Sequence, residues 1–220
     1  AADARLEVIT LGSGSLHPGT AHTAEFCRAI WGTQLAAMLV NEAGVRESDD
    51  IEYVHEMRVA TRRARAAMRL YAGFFAAKNR SVKRFARALR TTGRLLGRVR
   101  DLDVAAERLQ HFADEQGAGK KGTRKLKNKR ARRVDASIRE LQASRTRAHA
   151  DLVVWLDSEK YARFVERFAV FCATPGRGVA SIKREAGKAP APVQLRHTLP
   201  SMVWSRFEAV RAFEPLFESA

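Results

Sequence analysis

The chain has 220 residues, and its 40 lysines and arginines against 24 acidic residues give a formal net charge of +16. With 45% hydrophobic residues it can bury a core, and its longest apolar runs are far shorter than the roughly 18 residues of a membrane-spanning helix, so disordered and transmembrane proteins are excluded. Its 2 cysteines have no CxxC neighbour, which excludes a disulfide scaffold and the common zinc sites and favours buried free thiols in a reducing compartment.

The distribution of proline predicts an all-α protein. All six prolines lie at Pro18 or from Pro175 onward, so about 155 consecutive residues lack this helix breaker. Residues 174–193 have the glycine and proline content of a linker. Apolar periodicity and candidate caps predict helices near residues 22–43, 50–76, 80–98, 101–117, 124–156, 158–173 and 200–219.

The positive charge is concentrated in two segments. Residues 58–100 contain fourteen basic side chains and no acidic one, and residues 120–133 contain nine more, again without an acid. A solvated helix face usually mixes both signs, because opposite charges four residues apart stabilise each other. An unrelieved run of arginines repels itself, so we expect an anionic partner that neutralises it.

The second predicted helix has one apolar face and one basic face. At the 3.6-residue period its apolar residues form a stripe that we assign to the core: Met57, Ala60, Ala64, Ala67, Met68, Tyr71 and Phe75. Away from this stripe, four arginines lie within about 60° of one another. We call them the upstream ladder: Arg58, Arg62, Arg65 and Arg69. His55 extends this basic face by one turn.

The third predicted helix repeats this arrangement. Its basic face, which we call the downstream ladder, comprises Lys83, Arg87, Arg90, Arg94 and Arg98. Its apolar face comprises Phe85, Leu89, Leu96 and Val99. Consecutive helices with a short connection pack antiparallel in a bundle, so we expect the two ladders to lie side by side. They would then form a basic trough roughly 16 to 22 Å long, at 1.5 Å per residue.

The short motifs argue against a catalytic or metal site. His55 and Glu56 begin like the helix of a zinc protease, but Val59 occupies the position of the second histidine ligand. Asp101 and Asp103 form a DxD pair at a predicted helix start, where capping and ion pairing are favoured over a metal-nucleotide role. No glycine-rich phosphate loop of the GxxxxGKS type occurs. We therefore expect no enzyme activity, no cofactor and no metal.

A phosphate polymer without bases fits the ladders better than nucleic acid does. Proteins that bind single strands place aromatic side chains among the cations so that bases can stack. Here the aromatic residues near the ladders lie on or beside the apolar faces: Tyr71, Phe74, Phe75 and Phe85. Non-specific binding of nucleic acid is the alternative to binding of a phosphate polymer. A third hypothesis is a phosphate-transferring enzyme that uses His55 and the two aspartates.

Two segments resemble the signature motifs of the CHAD family, the conserved histidine α-helical domain. Residues 55–65 are HEMRVATRRAR and residues 95–104 are LLGRVRDLDV, which together resemble HxxRVxxRRxR followed about 40 residues later by LGxVRDLDV. The resemblance implies two similar four-helix halves around a basic cavity that binds inorganic polyphosphate without catalysis. It also implies that the anion is faced by His55, Arg58, Arg62, Arg63, Arg65 and Arg69. We add the residues of the downstream ladder to this set of anion contacts from helical periodicity alone.

The resemblance predicts a CHAD-like helical domain over residues 21–220, after an N-terminal linker over residues 1–20. Its parts are a first half (21–117), a long-helix region (120–173), the linker (174–193) and the start of a second half (194–220). A weak internal repeat aligns Trp31 with Trp204. The first basic motif begins 24 residues after Trp31, at His55, so the second would begin near position 228, past Ala220. We expect a truncated sequence in preference to a homo-oligomer that completes the cavity.

The expected partner is therefore inorganic polyphosphate, bound without turnover and without a membrane. No signal-peptide pattern occurs in residues 1–16. We expect a cytoplasmic location, with polyphosphate granules as one place where the protein would be found.

Overall fold

The computed structural model describes residues 22–76, 79–118, 124–180 and 193–214, with side chains described in these ranges except at 116–118 and 124–131. We number the described α-helices α1 (Thr23–Glu47), α2 (Ile51–Leu70), α3 (Arg80–Ala118), α4 (Arg124–Leu156), α5 (Glu159–Ala173) and α6 (Leu195–Arg211). The all-α helical bundle predicted from the sequence is confirmed. No helix among these residues has both the length and the apolar composition needed to cross a membrane.

Most predicted helices are present, with shifted ends. α4 has the predicted bounds, and α5 begins one residue later than predicted. α1 continues through Gly44, where the prediction ended it, to Glu47. α2 ends at Leu70, and a short 3-10 turn over Ala72–Phe74 replaces the rest of the predicted helix.

The predicted break between the third and fourth helices is wrong. α3 runs without interruption over 39 residues, so Asp101 and Asp103 lie inside a helix and do not cap a helix start. The buried face continues across the predicted boundary, because Leu96 and Val99 are fully buried and Asp103 is only 5% exposed. Packing therefore holds the helix together where the charge pattern suggested an exposed end.

The last helix starts earlier than predicted. α6 begins at Leu195, so Pro200 lies inside it and not in its first turn. Before this helix, a turn with positive φ at Gly176 and Gly178 follows α5, and Val179 then forms a β-bridge with Phe75. Residues 181–192 of the predicted linker and residues 215–219 of the predicted helix lie outside the described residues.

The chain divides into two compact units. The first comprises Ala1–Ala36, Arg63–Ala86 and Val165–Ala220, and the second comprises Ala37–Arg62 and Arg87–Phe164. Both apolar stripes predicted for the ladder helices are confirmed, because every residue in them is buried. The basic faces of α2 and α3 are therefore the faces left for solvent.

The first unit has an aromatic core. Trp31 is fully buried and stacks on Phe75, with ring centroids 4.8 Å apart. Phe171 lies within 6.2 Å of both rings by centroid distance. Arg28 is 2% exposed, and its guanidinium donates a 2.7 Å hydrogen bond to the carbonyl oxygen of Phe171. This arginine therefore satisfies a carbonyl at the carboxyl end of α5 that the helix itself leaves without a partner.

The second unit packs α4 against α3. Thr92 and Leu96 of α3 and Leu152 of α4 are fully buried. The indole Nε1 of Trp155 donates a 2.9 Å hydrogen bond to Oγ1 of Thr92. Apolar burial and a shared hydrogen bond thus fix the part of α3 that bears most of the downstream ladder.

Candidate anion-binding site

The upstream ladder lies on α2, on the side that the buried stripe leaves open. Arg62 and Arg69 are exposed, whereas Arg58 and Arg65 are half-buried. A half-buried arginine packs its aliphatic stem on the protein and keeps its guanidinium at the surface. Within the described residues, no acidic side chain forms an ion pair with any of these four arginines.

The downstream ladder lies on the exposed side of α3. All five of its residues are exposed. Their spacing of three or four residues keeps them within about 80° on a 3.6-residue helix. Arg98 ends this ladder and forms an ion pair with Asp151. Neither Arg90 nor Arg94 has an ion pair with any described residue.

The two ladders are neighbours within the second unit. A Cβ built on Gly97 of α3 would lie 3.8 Å from Nε of Arg58. The guanidinium of Arg58 therefore lies against α3 where glycine presents no side chain, within one turn of both Arg94 and Arg98. Like charges at this separation repel each other, and an anion that contacts both ladders would remove that repulsion.

The predicted site residues are divided between the two units. The second unit contains His55, Arg58, Arg62, Arg87, Arg90, Arg94 and Arg98. The first unit contains Arg63, Arg65, Arg69 and Lys83. The approach of Arg58 to Gly97 lies wholly within the second unit.

Two predicted residues of α2 lie outside the ladders. His55 is half-buried, nearly one turn before Arg58 and about 20° from Arg62 around the helix, so it extends the basic face. Arg63 is exposed but lies about 100° around the helix from Arg62. The structure thus does not bring Arg63 into the upstream ladder, and its assignment to the anion rests on the motif alone.

The two aspartates of the DxD pair have different surroundings. Nε of Arg145 donates a 2.9 Å hydrogen bond to Oδ1 of Asp103, whose side chain is 3% exposed. The ion pairing predicted for this residue is confirmed, although its partner lies on α4 and not on the neighbouring turn. Asp101 is exposed on α3. Asp103 therefore links two helices, while Asp101 remains at the surface near the ladder.

A groove adjoins the end of the downstream ladder in the second unit. Its volume is about 800 Å³, and it is lined by Arg98 and Asp101 from α3 and by Arg147 and Asp151 from α4, among others. The sequence interpretation missed the two α4 residues. Charges of both signs are mixed in residues 139–151, a pattern typical of an ordinary solvated helix. Only tertiary packing places them beside the ladder.

Comparison with known proteins agrees with the fold and the motifs. The family model of the CHAD domain matches residues 29–215. Among solved structures, the chain is similar to PptA from Streptomyces chartreusis, with a TM-score of 0.53, 19% identity and coverage of 72% of this chain and 53% of that one. It is also similar to the CHAD domain from the plant Ricinus communis, with a TM-score of 0.51, 24% identity and coverage of 76% and 52%.

The chain spans about half the length of each of these two solved structures. At these identities the likeness shows the fold alone. No curated protein matches the chain.

Proposed function

The chain belongs to the CHAD domain family, and from that premise we propose that it binds inorganic polyphosphate through the two ladders without turning it over. The main support is the approach of Arg58 to α3 at Gly97, which makes cations of both ladders neighbours in the second unit. Arginine suits this ligand, because its planar fork donates two hydrogen bonds to phosphate oxygens. The proposed contacts are His55, Arg63 and the residues of both ladders.

The burial of three of the four aromatic residues near the ladders favours polyphosphate over nucleic acid. Tyr71, Phe75 and Phe85 are 4%, 4% and 5% exposed, so these three rings offer no surface on which a base could stack, whereas Phe74 is half-buried. A polymer of phosphate needs only charge and hydrogen-bond donors, which the ladders supply. Non-specific nucleic-acid binding would use the same cations but would gain nothing from these rings.

The environment of Asp103 argues against phosphate transfer. This carboxylate is buried and already accepts a hydrogen bond from Arg145. It is thus held in a helix contact, and only His55 and Asp101 of the third hypothesis remain near the surface. Binding without catalysis is the simpler use of this surface.

Competition between two polyanions tests the choice of ligand. Long-chain polyphosphate should displace duplex DNA from the purified protein at equal phosphate concentration, as measured by fluorescence anisotropy of labelled DNA. The same samples should release no orthophosphate over hours. Tighter binding of DNA at moderate salt would favour the nucleic-acid alternative, and release of orthophosphate would contradict the non-catalytic role.

A matched pair of triple variants tests the ladder itself. Replacing Arg58, Arg62 and Arg65 by Gln removes three proposed phosphate contacts from α2. At about 1.5 kcal/mol or more per charge-assisted contact, polyphosphate affinity should fall by roughly a thousandfold or more. The control variant replaces three exposed arginines of α4 and removes the same formal charge: Arg132, Arg133 and Arg139. We expect a loss of less than about tenfold in the control, because screening weakens distant charges.

Equal losses in the two triple variants would mean that the protein responds to net charge alone. The ladders would then not be the site. Far-UV circular dichroism checks folding of both variants, which should be retained because the substituted side chains are not part of the buried core.

A further inference from the structure

The charge on the exposed face of α3 changes sign at the end of the downstream ladder. Because α3 is continuous, Asp101 lies two turns beyond Arg94 and within about 20° of it around the helix. Asp101 is exposed, like the ladder residues before it. A track of phosphates along this face would therefore meet a carboxylate after Arg98.

The last cation of the downstream ladder, Arg98, already pairs with a second carboxylate, that of Asp151. Nη1 of Arg98 donates a 3.3 Å hydrogen bond to Oδ2 of Asp151, and the two side chains are 60% and 59% exposed. Asp151 extends from α4 into the same groove that Arg98 and Asp101 line. Phosphate oxygens and the Asp151 carboxylate thus require the same guanidinium.

We propose that Asp101 and Asp151 set the end of the phosphate track in the second unit, an inference that rests on the proposed function. Asp151 competes with phosphate for Arg98, and Asp101 repels a phosphate placed beyond it. Both effects are local, because charges are screened over about 8 Å at physiological ionic strength. An exposed ion pair is weak, so the competition lowers affinity by about fivefold at most. The two carboxylates therefore limit how many phosphates are bound without abolishing binding.

The experiment measures polyphosphate affinity for the full chain with neutral, nearly isosteric replacements, Asp101→Asn and Asp151→Asn. Asp151→Asn should raise affinity by about threefold to fivefold. The double variant should raise it further. If freed Arg98 engages one more phosphate, the slope of log affinity against log salt should steepen by about 0.7, the value for one contact with a single-stranded polyanion.

Two controls separate this role from a change in net charge. Glu140→Gln removes an exposed acid of α4 that lies eleven residues before Asp151, about 16 Å along the helix, and does not line the groove, so polyphosphate affinity should not change. In an Arg98→Gln background, Asp151→Asn should no longer raise affinity, because the competed cation is absent. If Asp151 acted only by stabilising the fold, Asp151→Asn would change affinity equally with and without Arg98.

The outcomes distinguish the inference from the function on which it rests. If the wild type binds polyphosphate and the Arg58, Arg62 and Arg65 variant does not, the proposed function stands. Unchanged affinity and salt slope in the two aspartate variants would then overturn the inference alone, as would an equal gain with Glu140→Gln. If the wild type binds no polyphosphate, the proposed function fails and the inference fails with it.

Discussion

Gly44 lies within α1 at a point where Tyr53 of α2 approaches closely. A Cβ built on this glycine would clash with Cγ and Cδ1 of the tyrosine ring. Alanine would favour the helix by about 1 kcal/mol, but the clash is larger, since overpacking typically costs about 1–3 kcal/mol. We therefore expect Gly44→Ala to lower the free energy of unfolding, measured by urea denaturation.

The sign of the effect should reverse without the tyrosine ring. In a Tyr53→Ala background the clash is absent, so Gly44→Ala should stabilise the protein by up to about 1 kcal/mol through helix propensity. Destabilisation of similar size in both backgrounds would show that the close approach of Tyr53 is not the cause.

The buried thiols of the first unit predict a loss of stability at high pH. Cys27 and Cys172 are free and buried, as the sequence predicted. Burial raises the pKa of Cys172 to about 12 and raises the pKa of Cys27 and Tyr71 as well. Above about pH 9 the unfolded chain ionises its thiols, whereas the folded chain keeps them neutral. The free energy of unfolding should therefore fall as pH rises from about 9 to 11.

Urea midpoints at pH 8 and pH 10.5 measure this fall. The double variant Cys27→Ala and Cys172→Ala should show a shallower dependence on pH, because only Tyr71 of these three groups then remains. An equally steep fall in that variant would assign the effect to other groups.

At the scale of whole helices, the sequence predicted those features that repeat along a helix and missed those that depend on a neighbour. The apolar stripes follow from a 3.6-residue period and are buried as predicted, although Tyr71 and Phe75 lie beyond the end of α2. The ladders follow from the same period. The break at Asp101 and Asp103 was wrong because aspartate after arginine resembles a helix start, and no local signal shows that Asp103 is buried against Arg145.

The same reasoning accounts for the part of the candidate site that the sequence did not predict. Arg147 and Asp151 lie 49 or more positions from the ladder residue Arg98 and reach it only through packing of α4. The approach of Arg58 to Gly97 is also tertiary, although the glycine belongs to a motif that the sequence analysis singled out. Glycine within a long helix was a signal that something packs closely there.

Graded substitution of Gly97 tests this close approach on α3. Gly97→Ala adds a Cβ at 3.8 Å from Nε of Arg58, which is ordinary contact. Folding should gain up to about 1 kcal/mol from helix propensity, and polyphosphate affinity should stay the same. Gly97→Leu should displace Arg58 and weaken polyphosphate binding by about tenfold or more, the loss of roughly one charge-assisted contact. Equal binding by both variants would show that Arg58 does not act at this position.

At the scale of the molecule, the excess positive charge lies in residues 58–100 and 120–133, while the remaining residues carry more acids than bases. This separation means that a polyanion is attracted to these two segments and repelled by the rest. The steering is electrostatic and long in range only at low salt. A molecule of this kind should bind in a strongly salt-dependent and weakly pH-dependent manner.

The salt and pH dependence of polyphosphate binding test that expectation together. If about six phosphates are engaged, affinity should fall by roughly 10²-fold to 10³-fold between 50 and 200 mM salt by counterion release, at a slope of about 0.7 per contact. Arginine stays charged throughout the accessible pH range, so titration calorimetry at pH 8 should give nearly the affinity found at pH 6, with a modest gain on acidification if His55 contacts the anion. Loss of most of the affinity between pH 6 and pH 8 would make the histidine, and not the ladders, the centre of the site, because histidine changes its charge in that range. A shallow salt dependence would instead mean that few phosphates are bound and that the two ladders do not act together.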